Sequence, residues 1–362
     1  MKNFALVLSI ALALALTGCG STATPPTPGV PPSAQSTSYL GTQSGNDRWL
    51  WTFTGSQFTA ANEVQNLHYS GTFRSLPNGF EKLNITTSDD AALTTLPAVA
   101  YALAMNGEAL LVKPSTQSQP TRAIVAAGLG HCPTSNSTYS WVAVPKNAWD
   151  NSNFAVGQSV LAIHPVSGVS SIDMSLHFDF FDGSLQANSF PTGYTCSDGR
   201  ISQVGDVAQY AVSKSGIYVA NCGPVLSGLM GVVDPAINFT IAELTGPGHT
   251  FRGMLFQNQP TGDQTTLVWA QGDLNVGFHM NTYSDVDSGI ESQDTTTAVQ
   301  IALATPTSLE RYPGTLTDAA GAHDFQFVIA CLRNGKYVLF GFGSYILPGG
   351  VTVPYNVVLL EQ

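Results

Sequence analysis

From Tyr39 onward the apolar positions recur with a period of two, the spacing of a strand with one buried face. Trp49, Trp51 and Phe53 alternate with Leu50 and Thr52, and Gly55-Ser56 then turns the chain into Phe58-Thr59-Ala60. Tyr69-Ser70-Gly71-Thr72-Phe73 leads through Pro77-Asn78-Gly79 to Phe80, Leu83 and Ile85. Asn-Gly between alternating runs is a strong hairpin signal. It recurs at Asn106-Gly107 and Asn334-Gly335, with Ser215-Gly216 in the same role. Phe178 to Phe181 and Tyr337-Val338-Leu339-Phe340 are rich in residues that favour strands. The nearest approach to an amphipathic helix, Ala91 to Ala104, is interrupted by Pro97. The pattern predicts an all-β chain.

The hairpins also repeat. Tyr101 to Val112, Tyr210 to Val219 and Phe327 to Leu339 each carry a turn glycine and are each followed by another apolar run: Arg122 to Ala126, Met230 to Val233 and Asn356 to Leu359. Tyr39-Leu40-Gly41 is similar to Phe251-Arg252-Gly253, and Tyr69-Ser70-Gly71-Thr72 to Tyr312-Pro313-Gly314-Thr315. The repeat divides the chain into β-modules at 39–130, 131–248 and 249–362, each with room for about eight short strands. Two four-stranded blades per module predict a six-bladed β-propeller; the alternative is three small β-barrels or sandwiches.

Ahead of the modules stands Lys2, then an apolar run from Phe4 to Leu16 that is too short to span a bilayer. It ends in Leu16-Thr17-Gly18-Cys19, which resembles the lipobox of bacterial lipoproteins. The resemblance implies cleavage after residue 18 and a lipidated Cys19 that holds the chain on a membrane. Gly20, in place of an aspartate, implies the outer membrane by the same resemblance. Residues 19–38, with Pro25, Pro26, Pro28, Pro31 and Pro32, have little to bury and read as an extended tether.

Composition narrows the function classes. The chain has 13 basic and 24 acidic side chains, a net charge of −11, so phosphate backbones repel it and a nucleic-acid partner is not expected. Only 10% of residues are charged, which leaves Ser, Thr, Asn, Gln and Gly to wet the surface of an exported protein. With Cys19 assigned to lipid, Cys132, Cys196, Cys222 and Cys331 remain for an oxidising compartment. Three pairings are open; the modules favour Cys132–Cys196 within the second and Cys222–Cys331 between the second and third. No zinc spacing occurs, and no cofactor is expected.

Candidate chemistry is sparse. No nucleophile elbow, zinc-protease or phosphate-loop motif occurs. His68, His131, His164, His177, His249, His279 and His323 are scattered. Asp285 and Asp287, with Glu291 and Asp294 beyond, place oxygens on alternate loop positions and are weak candidates for a calcium site. On a strand, Asp173, His177 and Asp179 would share a face near Asp182, a geometry usable in acid–base or metal chemistry. Trp49, Trp51, Trp141, Trp149 and Trp269 are candidates for stacking on glycans, although the alternation around Trp49 and Trp51 predicts burial. These features favour a non-enzymatic binding or envelope-structural lipoprotein with a protein or glycan partner. The alternative is an envelope hydrolase or carbohydrate-acting enzyme on a propeller. Replacing the acylated thiol tests the anchor: Cys19→Ser is expected to move the protein from the detergent phase to the aqueous phase in phase partitioning.

Overall fold

The computed structural model describes residues 36–42, 47–91, 93, 95–105, 107–114, 124–130, 132, 136–143, 156–164, 169–178, 184–203, 209–221, 228–233, 249–259, 262–273, 277–287, 290–292, 298–301, 312–318, 321–346 and 352–362. The lipobox and most of the tether lie outside them. Among the described residues every regular element is a strand or an isolated turn.

The first eight strands are β1 (Ser36–Thr42), β2 (Trp49–Thr54), β3 (Gln57–Asn62), β4 (Leu67–Ser75), β5 (Glu81–Ser88), β6 (Ala98–Met105), β7 (Ala109–Pro114) and β8 (Ile124–Gly128). Each pairs antiparallel with the next, and β8 returns to β1 with Tyr39 opposite Gly128, so the sheet is a closed barrel. The second barrel runs through β9 (Ser137–Ala143), β10 (Val156–His164), β11 (Val169–Phe178), β12 (Ser184–Ser197), β13 (Arg200–Gln203), β14 (Gln209–Val212), β15 (Ile217–Asn221) and β16 (Gly228–Val233), and closes β16 on β9.

The third sheet holds β17 (His249–Gln259), β18 (Gly262–Asp273), β19 (Gly277–Asp285), β20 (Ile290–Ser292), β21 (Ala298–Ile301), β22 (Tyr312–Asp318), β23 (Gly321–Cys331), β24 (Tyr337–Ile346) and β25 (Thr352–Glu361). β17 pairs with both β18 and β25, and β18 with β19, so these pairings also run full circle, with β20 appended to β19.

The six-bladed propeller is therefore corrected. Blades would leave the edges of four-stranded sheets unpaired, whereas here the first and last strands of each meander bond to one another and remove the edges. Two glycines make the closure possible. A Cβ on Gly41 of β1 would lie 2.2 Å from the Val125 carbonyl oxygen of β8, and one on Gly253 of β17 would lie 1.7 Å from that of Val358 on β25. The likeness of Tyr39-Leu40-Gly41 to Phe251-Arg252-Gly253 marks the seam where a barrel shuts.

The repeated hairpins occupy equivalent places. Gly107, Gly216 and Gly335 all have positive φ (81°, 106° and 81°) and each joins the sixth strand of its ring to the seventh. Stretches of these three strands per barrel, sixth to eighth, are buried on both faces. On β7, Leu110 and Val112 enter the lumen of the first barrel, while Ala109 and Leu111 point outward. On β24, Tyr337 and Leu339 fill the third barrel and Val338, Phe340 and Phe342 point outward. On β15, Ile217 and Val219 point outward, and Tyr218, on the opposite face, lies 4.8 Å ring to ring from Tyr139. The outward sets of all three barrels form one apolar core. Continuous apolar runs, rather than strict alternation, are what strands buried on both faces require.

Polar contacts fix the barrels' register around that core. Glu108 Oε2 accepts the Ser215 N–H at 2.8 Å, and the Ser215 carbonyl accepts the Arg333 N–H at 3.3 Å, so the three equivalent turns are linked in series. Glu63 lies between Arg48, at 3.5 Å, and Arg200 of the second barrel. The Cys132–Cys196 disulfide is present, with Cα atoms 5.8 Å apart; it ties the connection leaving β8 to the end of β12. Cys331 ends β23, while Cys222, its expected partner, lies outside the described residues.

Exposed ion pairs contribute ~0–1 kcal/mol each, against ~1.5–3 kcal/mol for a fully buried Leu, Val or Phe. The shared core therefore dominates. Phe340→Ala is expected to cost about 3–5 kcal/mol and to lower the unfolding midpoint of all three barrels together. Denaturant titration followed by site-resolved hydrogen exchange checks this; loss of protection confined to the third barrel would contradict it.

Candidate functional site

The lumen of the first barrel carries the best-defined side-chain geometry. Its aromatic half comes from the strands read by alternation: Trp49 stacks on Tyr69 at 5.0 Å, and Trp51 lies between Phe58 at 5.7 Å and Phe53 at 6.4 Å. The opposite wall is small, with Ala98, Ala100 and Ala102 of β6 buried against them. Trp49 Nε1 donates to Asp47 Oδ2 at 3.0 Å, and Thr42 Oγ1 donates to Oδ1 of the same buried carboxylate. Trp51 is 2% exposed, yet its Nε1 has no acceptor.

At the end of the lumen flanked by residues 55–56 and 76–80, Glu81 is in phase with Leu83 and Ile85 and so faces inward. Ser75 Oγ donates to Glu81 Oε1 at 2.9 Å, while Oε2 is buried without a donor. Burial raises the Glu81 carboxyl above its ordinary value, opposed by the Ser75 bond.

A second titratable group lies on the outside of the same barrel. His68 Nδ1 meets Asp89 Oδ2 at 2.8 Å, and the His68 backbone N–H bonds the other oxygen. That backbone bond first, then the imidazole, holds the Asp89 carboxyl below its usual value. Tyr69 donates to Asp90 at 2.6 Å, and burial, reinforced by Asp90, raises its phenol so that it stays a donor. The nearest hydroxyl along the strand, Ser70 Oγ, is bonded to Thr87 rather than to the imidazole. No nucleophile–base pair is made here.

The sequence candidates are dispersed. Asp287 pairs with Lys82 and lies 4.0 Å from Arg74, both of the first barrel, so its carboxylate serves the contact between the first and third barrels. Asn78 Nδ2 donates to the Val286 carbonyl at 2.9 Å in the same contact. Asp285 ends β19 opposite Ile290. Among the described residues no group of three His, Cys, Asp or Glu could hold a metal ion. Asp173 and His177 lie on β11, opposite Ser189 and Leu185; Asp179 and Asp182 lie outside the described residues.

His249 bonds Glu361 at 2.8 Å. His164 and His279 lie on β10 and β19, His323 is half-buried on β23, and His131 lies outside the described residues. Trp141 and Trp269 stand on β9 and β18, and Trp149 lies outside. Sequence reasoning passed over Glu81; its phase with Leu83 and Ile85 was the available signal.

No known protein-family model matches the chain, and no curated protein matches it. Among solved structures, the chain is similar to a tryptophan-to-alanine mutant of transferrin binding protein B from Haemophilus parasuis Hp5. The identity is 9% and the TM-score 0.29, over 91% of this chain and 77% of that one. It is also similar to isotype 1 transferrin binding protein B from serogroup B Neisseria meningitidis, with 11% identity and a TM-score of 0.18, over 87% of this chain and 66% of that one. Likenesses at these scores carry no argument about function.

The two tryptophans give a direct test of the lumen. Trp49→Phe removes a donor from buried Asp47, whereas Trp51→Phe removes a donor that has no acceptor. Trp49→Phe is expected to be the more destabilising by about 1–3 kcal/mol in denaturant unfolding.

Proposed function

We propose that this chain is a lipid-anchored protein of the bacterial envelope with a non-enzymatic binding or envelope-structural role. Cys19 carries the lipid, the part of residues 19–38 that precedes β1 acts as the leash, and the outer membrane is the site of attachment. The observation that supports this reading best is the shared apolar core. It holds three closed barrels in one fixed relation, so a surface composed from more than one of them needs no reorientation of the barrels on binding. Closure also leaves, among the described strands, little more than the edge of the three-residue β20 open to neighbours, a property suited to proteins crowded on a membrane. The partner is a protein or glycan of the envelope.

A screen of the purified full chain against glycans and fractionated envelope extract tests the reading. Saturable binding without turnover is expected, and hydrolysis of an envelope glycan or ester by the chain would overturn it.

A further inference from the structure

The chain enters the first barrel at an end where turns of all three barrels meet. Ser36 pairs with Thr54 and Glu81 with Ala102, so the turns at 55–56, 76–80 and 106–108 share that end. A Cβ on Gly107 would lie 3.7 Å from Thr37 Cγ2, which puts the entering strand beside the turn that starts the Glu108–Ser215–Arg333 series. Lys214 and Arg333 are exposed on the other two turns, and Arg333 Nη1 donates to the Lys214 carbonyl at 3.5 Å. Lys336, exposed on the same turn as Arg333, donates from Nζ to the main-chain oxygen of Gln362 at 2.9 Å. The patch then returns to the first barrel: a Cβ on Gly79 would lie 3.1 Å from Arg252 Nη1 and 3.5 Å from Gln362 Oε1.

The carboxylates of this end are mostly engaged. Glu108 is buried and accepts the Ser215 N–H, Glu81 bonds Ser75, Glu361 bonds His249, and Asp287 pairs with Lys82. Asp198 is exposed, but among the described residues Lys214 forms no ion pair with it or with any other carboxylate. The far end of the first barrel differs. There Arg48 and Arg200 flank Glu63, and Asp89 and Asp90 accept from His68 and Tyr69. In a chain with only 13 basic residues, exposed cations therefore cluster where the leash joins the body.

We infer that this end is a membrane-facing surface, on which Lys214, Arg333 and Lys336 bind the anionic headgroups of the bilayer that holds Cys19. This contact supplements the lipid anchor proposed above and rests on that reading. Residues 19–35 span at most about 50 Å at ~3.1 Å each, so the leash alone leaves the body free to turn. The net charge of −11 does not prevent the contact. Fields fall off within ~8–10 Å at physiological salt, so a bilayer responds to the end that faces it rather than to the sum. An acidic body tethered beside an anionic surface turns its cationic end inward, and each basic side chain there adds roughly a fivefold preference. Lipid chains and basic patches act together in this way at membrane surfaces.

The test inserts the full lipidated chain into the outer leaflet of phosphatidylcholine vesicles with or without phosphatidylglycerol. Flotation reports the anchor. Brief acetylation by a membrane-impermeant reagent, mapped by mass spectrometry, reports the exposure of each lysine. With phosphatidylglycerol present, Lys214 and Lys336 are expected to react at least about fivefold more slowly, and high salt is expected to restore their rates. Lys113, towards the opposite end of the barrel on β7, is the reference and is expected to react alike in both vesicles. Arg333→Glu is expected to weaken the protection and leave flotation unchanged. Equal rates in the two vesicle types would overturn the proposal, whether both are fast, as on an open face, or both slow, as beneath a second copy of the chain. Protection that survives both high salt and Arg333→Glu would overturn it too. A chain that floats with both vesicles but shows equal rates loses only this contact, whereas one that floats with neither loses the anchor as well.

Discussion

Everything in this molecule depends on strands that are buried on both faces. A barrel wall ordinarily gives one face to its lumen and the other to water. In each of the three barrels the sixth, seventh and eighth strands give the second face to a common core instead. Along β24 the alternation between Leu339 and Phe340 is an alternation between two hydrophobic cores, not between core and solvent. Changing either residue leaves no solvated position to absorb the change.

The distribution of charge follows from that arrangement. With only 13 basic residues, the chain places Arg48 and Arg200 around Glu63, Arg74 and Lys82 around Asp287, and Arg333 over the turn at Ser215. All of these lie where two barrels meet. Such contacts add little stability one by one, but a wrong rotation of one barrel would leave each of them unpaired in a partly desolvated seam. The outer strands are wetted by hydroxyls, as in the Ser70–Thr87 pair across β4 and β5.

How much of this was legible in the sequence depends on the range of each interaction. The all-β class, the burial of Trp49 and Trp51 and the turn glycines are set by neighbours within a few residues, and the period-two pattern carries them. The equivalence of Gly107, Gly216 and Gly335 was visible as a spacing. Closure was not. Tyr39 and Gly128 are far apart in the chain, and alternation fixes which residues share a face without saying which strand returns to the first. Asp287 shows the same limit: its loop has the alternating oxygens of a cation site, but its partner Lys82 lies 205 positions away. Glu81 was passed over because a lone glutamate next to a lysine at a strand start looks like ordinary surface.

The serial link from Glu108 through Ser215 to Arg333 has an architectural consequence. Linear repeat arrays grow or shrink by whole units because each unit touches only its neighbours. Here the first barrel also meets the third, through Asn78 and Lys82, so the contacts return to their starting point. The loss of one barrel would open the common core to water on the faces of the other two. The three barrels are thus stabilised as one set, since each supplies a wall of the core that the other two need.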